Sequence, residues 1–171
     1  MKQFSIKSIF AISTTLLLLG CASSQTTTAK YSHTRYQSVT TNEATLVQKG
    51  KQKNSCIICG MDLKTFYKTS YSAETKNKTK KQYCSLHCVV HDNEINKTDL
   101  LNLKAVDIST LKLIPANSAY FVVGSSKPAT MSRVSKYAFA KKADAKKFSK
   151  KFGGKVMNFY DTYSVSMKDF R

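Results

Sequence analysis

The order of strand and helix patterns repeats between residues 54 and 163, and this repeat constrains the fold more than any other feature. The first copy predicts strand, strand, helix and strand at 69–75, 80–84, 86–95 and 104–109. The second copy predicts the same order at 119–123, 137–140, 142–152 and 155–160. Gly153-Gly154 follows the second helix, where a C-terminal glycine is expected. The sequence therefore predicts an α+β fold of two ββαβ units with antiparallel sheets.

Residues 1–20 have the pattern of an export signal. Lys2 and Lys7 precede an apolar run that is too short to cross a bilayer, and the run ends in Leu18-Leu19-Gly20-Cys21. This ending resembles the lipobox of bacterial lipoproteins, which are cleaved before the cysteine and lipidated on it. The resemblance implies that Cys21 is the lipidation site and that Ala22 after it favours the outer membrane. An ordinary secretory signal with an incidental cysteine is the alternative.

The remaining chain divides into a tether and a domain. Residues 21–53 are rich in Ser, Thr, Gln and Lys, which predicts a lipidated N-terminus and a flexible tether with one short strand at 45–48. Residues 54–171 have globular patterning, with units at about 54–112 and 113–163.

The formal net charge is +18, and removal of the signal with its two lysines leaves +16. Such a charge often indicates nucleic acid binding, but an exported lipoprotein does not meet nucleic acid, so none is expected as a partner. Acidic proteins and anionic lipid head groups remain. A solvated lysine-rich face is the simpler interpretation of six lysines at helical spacings: Lys141, Lys142, Lys146, Lys147, Lys150 and Lys151.

Two thiols and a thioether lie within six residues, at Cys56, Cys59 and Met61. Thiolate and thioether together select Cu(I), whereas Zn(II) gains little from a methionine sulfur. A structural disulfide is the main alternative, because thiols outside the cytoplasm are often oxidised. A redox dithiol is a weaker alternative, because Gly60 interrupts any helix that would continue from the pair.

A second cluster, Cys84, His87, Cys88 and His91, would form one stripe on a helix. Cys84 and Cys88 are also compatible with simple burial as small hydrophobic residues. Bridges to Cys56 or Cys59 are possible, and so is a closed zinc site with all four thiolates as ligands. Met131 lies in a polar loop between two predicted strands, where it has no obvious core to fill.

The chain resembles the NosL lipoproteins, accessory proteins of bacterial nitrous oxide reductase, from Cys56 to about Tyr160. The matching motifs are Cys56-Ile-Ile-Cys59-Gly60-Met61, Tyr83-Cys84-Ser85, Ala119-Tyr-Phe-Val-Val-Gly-Ser125, Met131, Ala138-Phe139, Ala143-Asp-Ala145 and Gly153-Gly154. The resemblance implies a periplasm-facing lipoprotein that binds one Cu(I) and assists maturation of the reductase. It also implies a pair of ββαβ units similar to organomercurial lyase. The implied copper ligands are Cys59, Met61 and Met131, with Cys56 alongside and Cys84 close by.

Two features depart from the family pattern. Family members usually have Met-Gly at Met131-Ser132, and the pattern lacks His87, Cys88 and His91. These three residues are candidates for an added metal site. The sequence thus predicts a membrane-anchored Cu(I) chaperone for a copper enzyme, with no catalytic activity. A structural or interaction lipoprotein with disulfides or a closed zinc site is the alternative, and a carbon–mercury-cleaving or thiol-exchange enzyme is a third class that rests on fold analogy.

Overall fold

The computed structural model describes residues 35–170, which belong to one compact unit, His33–Arg171. The predicted signal 1–20 and the predicted lipidation site Cys21 lie outside the described residues. Within residues 35–170, no helix combines the length and the apolar character that a membrane span requires.

The first unit contains three strands and a helix, in the order β1 (Tyr71–Glu74), β2 (Lys80–Tyr83), α1 (Leu86–Val90) and β3 (Leu101–Val106). One π-helical stretch, His91–Ile95, extends α1 to the length that the sequence predicts for this helix. β1 pairs antiparallel with β2 on one side and with β3 on the other. A short edge strand, β4 (Leu113–Pro115), extends the sheet to the order β2-β1-β3-β4.

The second unit repeats this order with β5 (Tyr120–Val123), β6 (Lys136–Phe139), α2 (Lys142–Phe152) and β7 (Lys155–Met157). Its sheet has the order β6-β5-β7, and both pairings are antiparallel. A third helix, α3 (Phe159–Met167), follows β7. The predicted α+β fold of two ββαβ units with antiparallel sheets is confirmed.

The second sheet contributes to two apolar cores, because successive side chains of a strand point to opposite faces. Val122 and Tyr137 pack with Phe148 of α2 in the smaller core. Phe121 and Val123 belong to the larger core, which also contains three of the four cysteines in the described residues. The cysteines are therefore held by the main packing of the molecule.

Most strand boundaries differ from the predictions by one to three residues, and β3 begins at Leu101 rather than at 104. At the ends of β7 and β3 a polar side chain sets the boundary. β7 ends at Met157 rather than at 160, because the Asn158 side chain accepts a hydrogen bond from the Asp161 N–H (2.9 Å) and caps α3. The sequence analysis did not predict α3. β3 ends at Val106 rather than at 109, because Asp107 accepts hydrogen bonds from the Ser109 N–H and the Thr110 hydroxyl in a turn.

The segment before the first unit lies against the domain. The strand predicted at 45–48 is wrong, since these residues form no ladder and bond to a side chain instead. The Val47 N–H donates to Gln82 Oε1 at 2.9 Å. Gln37, only 1% exposed, donates to the carbonyl oxygens of Pro128 and Ala129. Residues 35–53 belong to the predicted tether, and part of this segment packs against the domain. The residues of the tether before 35 lie outside the described part of the chain.

The two glycines after α2 differ in the space around them, so an alanine should destabilise the protein more at one position than at the other. Both have positive φ, +73° at Gly153 and +87° at Gly154. A Cβ at Gly154 would lie 2.8 Å from the Ser125 nitrogen and 2.8 Å from the Val123 oxygen, whereas one at Gly153 meets nothing within 4 Å. Gly154→Ala is expected to lower the free energy of unfolding by about 2 kcal/mol more than Gly153→Ala. Urea unfolding followed by circular dichroism measures both variants, and equal losses would contradict the close approach.

Candidate metal site

The loop that carries Cys56 and Cys59 is closed by its own backbone. The Gly60 N–H donates to the Cys56 carbonyl at 2.9 Å, and the Cys56 N–H donates to the Met61 carbonyl at 2.8 Å. Gly60 has φ +74°, in the left-handed region that glycine adopts without strain. The Ile57 N–H donates to the Gln82 carbonyl at 3.1 Å, so the loop is docked on β2. This docking brings the loop to the residues that follow β2.

Cys84 and Cys88 lie on either side of the start of α1. β2 ends at Tyr83, Ser85 precedes the helix, and α1 begins at Leu86, so Cys84 is at the predicted strand–helix junction. The Thr69 hydroxyl donates to the Cys84 carbonyl at 2.9 Å and fixes this backbone position. Cys88 lies one helical turn later, on the same side as Cys84.

The structure brings all four cysteines of the domain together. The sulfur atoms of Cys56, Cys59, Cys84 and Cys88 lie within 4.8 Å of one another. Three separations are shorter: 3.4 Å from Cys59 to Cys84, 3.7 Å from Cys84 to Cys88 and 3.7 Å from Cys88 to Cys59. All four are free thiols. These separations are close to the edge of roughly 3.8 Å that a tetrahedron with metal–sulfur bonds of about 2.3 Å requires, so the cluster is able to hold one metal ion.

The four thiols differ in their access to solvent. Cys84 and Cys88 are fully buried and Cys56 is 2% exposed, whereas Cys59 is only partly buried. Cys59 is therefore the member of the cluster that an approaching ligand can reach.

The three buried thiols, Cys56, Cys84 and Cys88, change one another's pKa values. Hydrogen bonding to Cys84, and then to Cys88, lowers the pKa of the Cys56 thiol because it stabilises the thiolate. Hydrogen bonding to Cys56 has the largest effect on Cys84 and Cys88, and it raises the pKa of each thiol. Burial raises both pKa values further. Of the three buried thiols, Cys56 therefore loses its proton most readily, and Cys84 and Cys88 retain theirs more strongly. A metal ion must displace their protons, so its affinity falls as the pH falls.

The two methionines of the predicted ligand set differ in their surroundings. Met61 is partly buried and packs against the core that contains Cys56 and Cys84. Met131 is 42% exposed and has φ +54°, a conformation uncommon for a residue other than glycine. With His87, Met131 lines an open cleft of about 700 Å³. His87 directly precedes Cys88, so this cleft adjoins the helix that carries the cluster.

The two histidines of the predicted stripe do not join the sulfur atoms. The His87 ring stacks on Phe170 with centroids 4.4 Å apart, and its Nδ1 lies 3.5 Å from Asp169 Oδ2. The His91 ring lies 6.0 Å from the same phenylalanine. The cysteines of the stripe point to the sulfur cluster, whereas the histidines face the C-terminal end of the described chain.

The sequence analysis did not anticipate that Asp169 and Phe170 lie beside His87. The spacing of Cys84 and Cys88, four residues apart at a helix start, is what grouped these two cysteines in the sequence analysis. No sequence signal connects His87 with residues more than eighty positions later.

Comparisons with known proteins agree with this geometry. A family model described as NosL matches residues 47–166. The crystal structure of the copper chaperone NosL from Shewanella denitrificans is similar, with a TM-score of 0.52 and 25% sequence identity. The similarity covers 66% of this chain and 92% of that chain. No curated protein matches the sequence. The predicted resemblance and the fold class are confirmed.

Proposed function

This chain belongs to the NosL family, and from that premise we propose that it carries Cu(I) at the four-cysteine cluster and passes it to a copper enzyme outside the cytoplasm. The observation that carries the proposal is the convergence of four sulfur atoms within 4.8 Å in a chain similar to a copper chaperone. Thiolates are soft ligands and favour Cu(I) over harder ions. No catalytic step is assigned to the protein.

The burial of the cluster supports a role in carrying the ion and releasing it. Buried thiolates at Cys56, Cys84 and Cys88 would keep the ion away from water and oxidants, while Cys59 stays within reach of an acceptor. Transfer then proceeds by ligand exchange: an acceptor thiolate or imidazole binds the ion as the Cu–S bond to Cys59 breaks. Copper remains Cu(I) throughout, and the released thiolate takes up a proton.

We propose Met61 and Met131 as neutral thioether ligands that raise the preference for Cu(I). Met131 supports this role because its side chain is 42% exposed beside a cleft, without the packing that usually explains a methionine. Met61 follows Cys59 by two residues and packs on the core that holds the cluster.

Replacing both methionines tests their role. In reduced protein, Met61→Leu with Met131→Leu is expected to weaken Cu(I) binding at least tenfold, about 1.4 kcal/mol, and to leave Zn(II) binding nearly unchanged. The reason is that leucine keeps the volume and removes the soft sulfur. Met157→Leu with Met167→Leu is the matched control, because these methionines are partly buried packing residues. Competition titrations measure all four affinities, and equal losses of both metals would exclude thioether ligation.

The predicted location and acceptor belong to the same proposal. We propose that Cys21 anchors the protein by lipid to the periplasmic side of a membrane, with the outer membrane favoured by Ala22. Nitrous oxide reductase is the acceptor that the family name suggests. Incubation of copper-loaded protein with the copper-free reductase tests this, with Cys59→Ser as the variant expected to slow transfer. If the loaded protein supplies copper to another copper enzyme but not to the reductase, nitrous oxide reductase is not its acceptor.

A closed zinc site is the second candidate, and the sulfur geometry favours it specifically. Four thiolates are the usual ligands of structural Zn(II), and here four sulfur atoms lie within 4.8 Å of one another, with three of the four cysteines buried. In that case the cysteines would stabilise the fold, and the protein would be a structural or interaction lipoprotein. Structural disulfides are the other way in which the cysteines could stabilise the fold. Counting free thiols in protein purified without reductant distinguishes disulfides from a Cu(I) site and from a Zn(II) site.

A further inference from the structure

The outer face of α2 is strongly basic. Five of the eleven residues of α2 are lysines, and all five are exposed: Lys142, Lys146, Lys147, Lys150 and Lys151. We call these five residues the α2 lysine face. Ala145 and Phe148 are buried on the opposite side of the helix. The lysines therefore point away from the core and form an exposed surface of the domain.

No carboxylate within residues 35–170 forms an ion pair with a lysine of this face. The ion pairs of the described residues use other cations, namely Lys76, Lys81, His87 and Lys136. The helix itself contains one acid, Asp144. An exposed salt bridge contributes little to stability, but a row of unpaired cations has a potential that attracts anions.

An aromatic edge borders the α2 lysine face at its C-terminal end. The Lys127 Nζ lies 4.1 Å from the centroid of Phe152 and 4.6 Å from that of Tyr36. The Lys151 Nζ lies 5.2 Å from the Phe152 centroid, and Lys68 Nζ 5.1 Å from that of Tyr36. Both rings are partly exposed. Lysines beside a tyrosine and an apolar phenylalanine ring are typical of surfaces that lie at a lipid–water interface.

The chain that leads from Cys21 enters the domain at this same edge. Tyr36 packs against the core formed with α2, and its ring is 5.6 Å from that of Tyr137. Only fourteen residues separate Cys21 from Tyr36. Fully extended, they would span roughly 50 Å at most. If Cys21 is acylated, as proposed above, the segment that follows the anchor joins the domain beside the α2 lysine face.

We propose that the α2 lysine face and its aromatic edge bind the anionic phospholipid surface of the membrane in which the protein is anchored. An acidic protein is the other partner of suitable charge. The membrane is favoured because the aromatic edge and the chain entry point coincide with the lysines. A polybasic surface is the kind of second signal that, with an acyl anchor, makes membrane attachment stable. This contact would orient the domain relative to the bilayer.

Vesicle sedimentation of residues 22–171 tests the proposal without any acyl chain. This chain contains the whole compact unit with both cores but lacks Cys21, so binding reports the protein surface alone. We expect binding to vesicles of phosphatidylglycerol and phosphatidylcholine in equal parts, and none to pure phosphatidylcholine. Binding should disappear at about 1 M salt, where the Debye length is about 3 Å. The triple variant Lys147→Glu, Lys150→Glu and Lys151→Glu should bind at least a hundredfold more weakly.

A matched variant separates the face from the net charge. Lys80→Glu, Lys104→Glu and Lys112→Glu change the net charge equally at exposed positions of the first unit, and this variant should bind no more than tenfold more weakly than the unaltered chain. Equal losses of vesicle affinity in the two triple variants would overturn the proposal. So would no binding of the unaltered chain to vesicles that contain phosphatidylglycerol, and that result would leave an acidic protein as the partner. Cu(I) titration of the α2 variant should match the unaltered chain, so failure of the copper proposal is detected separately.

Discussion

Cys59→Ser combined with Cys84→Ser is expected to lower the Cu(I) affinity of the reduced protein at least a thousandfold, about 4 kcal/mol. These two sulfur atoms lie 3.4 Å apart, and they come from the two segments whose convergence forms the cluster. Serine keeps the shape of the side chain but replaces a soft sulfur by a hard oxygen. Anaerobic competition with a chromophoric Cu(I) chelator measures the loss.

Ser85→Ala is the control for this experiment. Ser85 Oγ lies 3.9 Å from the Cys84 sulfur, so the variant changes a neighbour of the cluster without removing a thiol. Its Cu(I) affinity should stay within a few-fold of the unaltered protein. Circular dichroism should show the same helix and strand content in both variants. A loss below tenfold for the double cysteine variant would mean that copper binds elsewhere.

Cys88→Ser distinguishes a Cu(I) carrier from a closed zinc site. A structural Zn(II) ion takes four ligands, whereas Cu(I) is satisfied by fewer sulfur atoms and also accepts the thioethers of Met61 and Met131. We therefore expect this variant to lower the Zn(II) affinity at least ten times more than the Cu(I) affinity. Equal losses would identify the cluster as a closed tetrathiolate site.

Asp92→Ala is expected to lower the free energy of unfolding at pH 7 by about 3 kcal/mol. Asp92 is 1% exposed, and its carboxylate accepts four hydrogen bonds. Lys81 Nζ and the Tyr83 hydroxyl donate to Oδ2 at 2.7 and 2.8 Å, while Thr98 and Asn96 donate to Oδ1 at 2.8 and 3.1 Å. Removal of the carboxylate leaves these donors without their partner, which is costlier than the loss of one bond. The network ties β2 to the π-helical end of the first helix.

The same network predicts how stability depends on pH. Burial alone would raise the pKa of Asp92, but the hydrogen bonds, led by the one from Lys81, outweigh it and lower the pKa. The contribution of Asp92 to stability is therefore complete above the unfolded-state pKa of about 3.9. It is lost as the pH falls through the lower pKa of the folded state. Urea titrations by circular dichroism suit this chain, which has no tryptophan, and the difference between Asp92→Ala and the unaltered protein should shrink below pH 4.

Asp99→Ala is the matched control for the buried carboxylate. Asp99 pairs with Lys76, and both side chains are mostly exposed. The loss of this pair should scarcely change the free energy of unfolding, because solvent and salt screen it. Equal effects of the two substitutions would show that burial of Asp92 does not strengthen its interactions.

The repeated unit could be predicted because each strand and helix carries its own local pattern. The second helix, 142–152, has the bounds that the sequence predicts, since apolar spacing and the following glycine both mark it. The helix Phe159–Met167 was missed, although Asn158 and Asp161 form a capping pair at its start. The predicted strand 155–160 included Asn158, so the capping residue was assigned to a strand. In the structure the strand ends at Met157 and α3 begins at Phe159.

The site was predictable in its parts but not in its assembly. Spacing alone groups Cys56 with Cys59 and Cys84 with Cys88, because each pair lies within one turn or loop. Their convergence requires contacts between distant segments, such as the hydrogen bond from the Ile57 N–H to the Gln82 carbonyl, and no local pattern encodes these contacts. The direction of His87 depends likewise on Phe170.

The central claim is that the cysteine cluster is a Cu(I) site, and one titration tests it most directly. The reduced chain, residues 22–171, is titrated anaerobically with Cu(I) against a strong chromophoric chelator, beside a parallel titration with Zn(II). We predict one tightly bound Cu(I) per chain, held more tightly than Zn(II), with the affinity falling as the pH is lowered. Tighter binding of Zn(II), or no Cu(I) retained against the chelator, would contradict the account and make the cysteines structural.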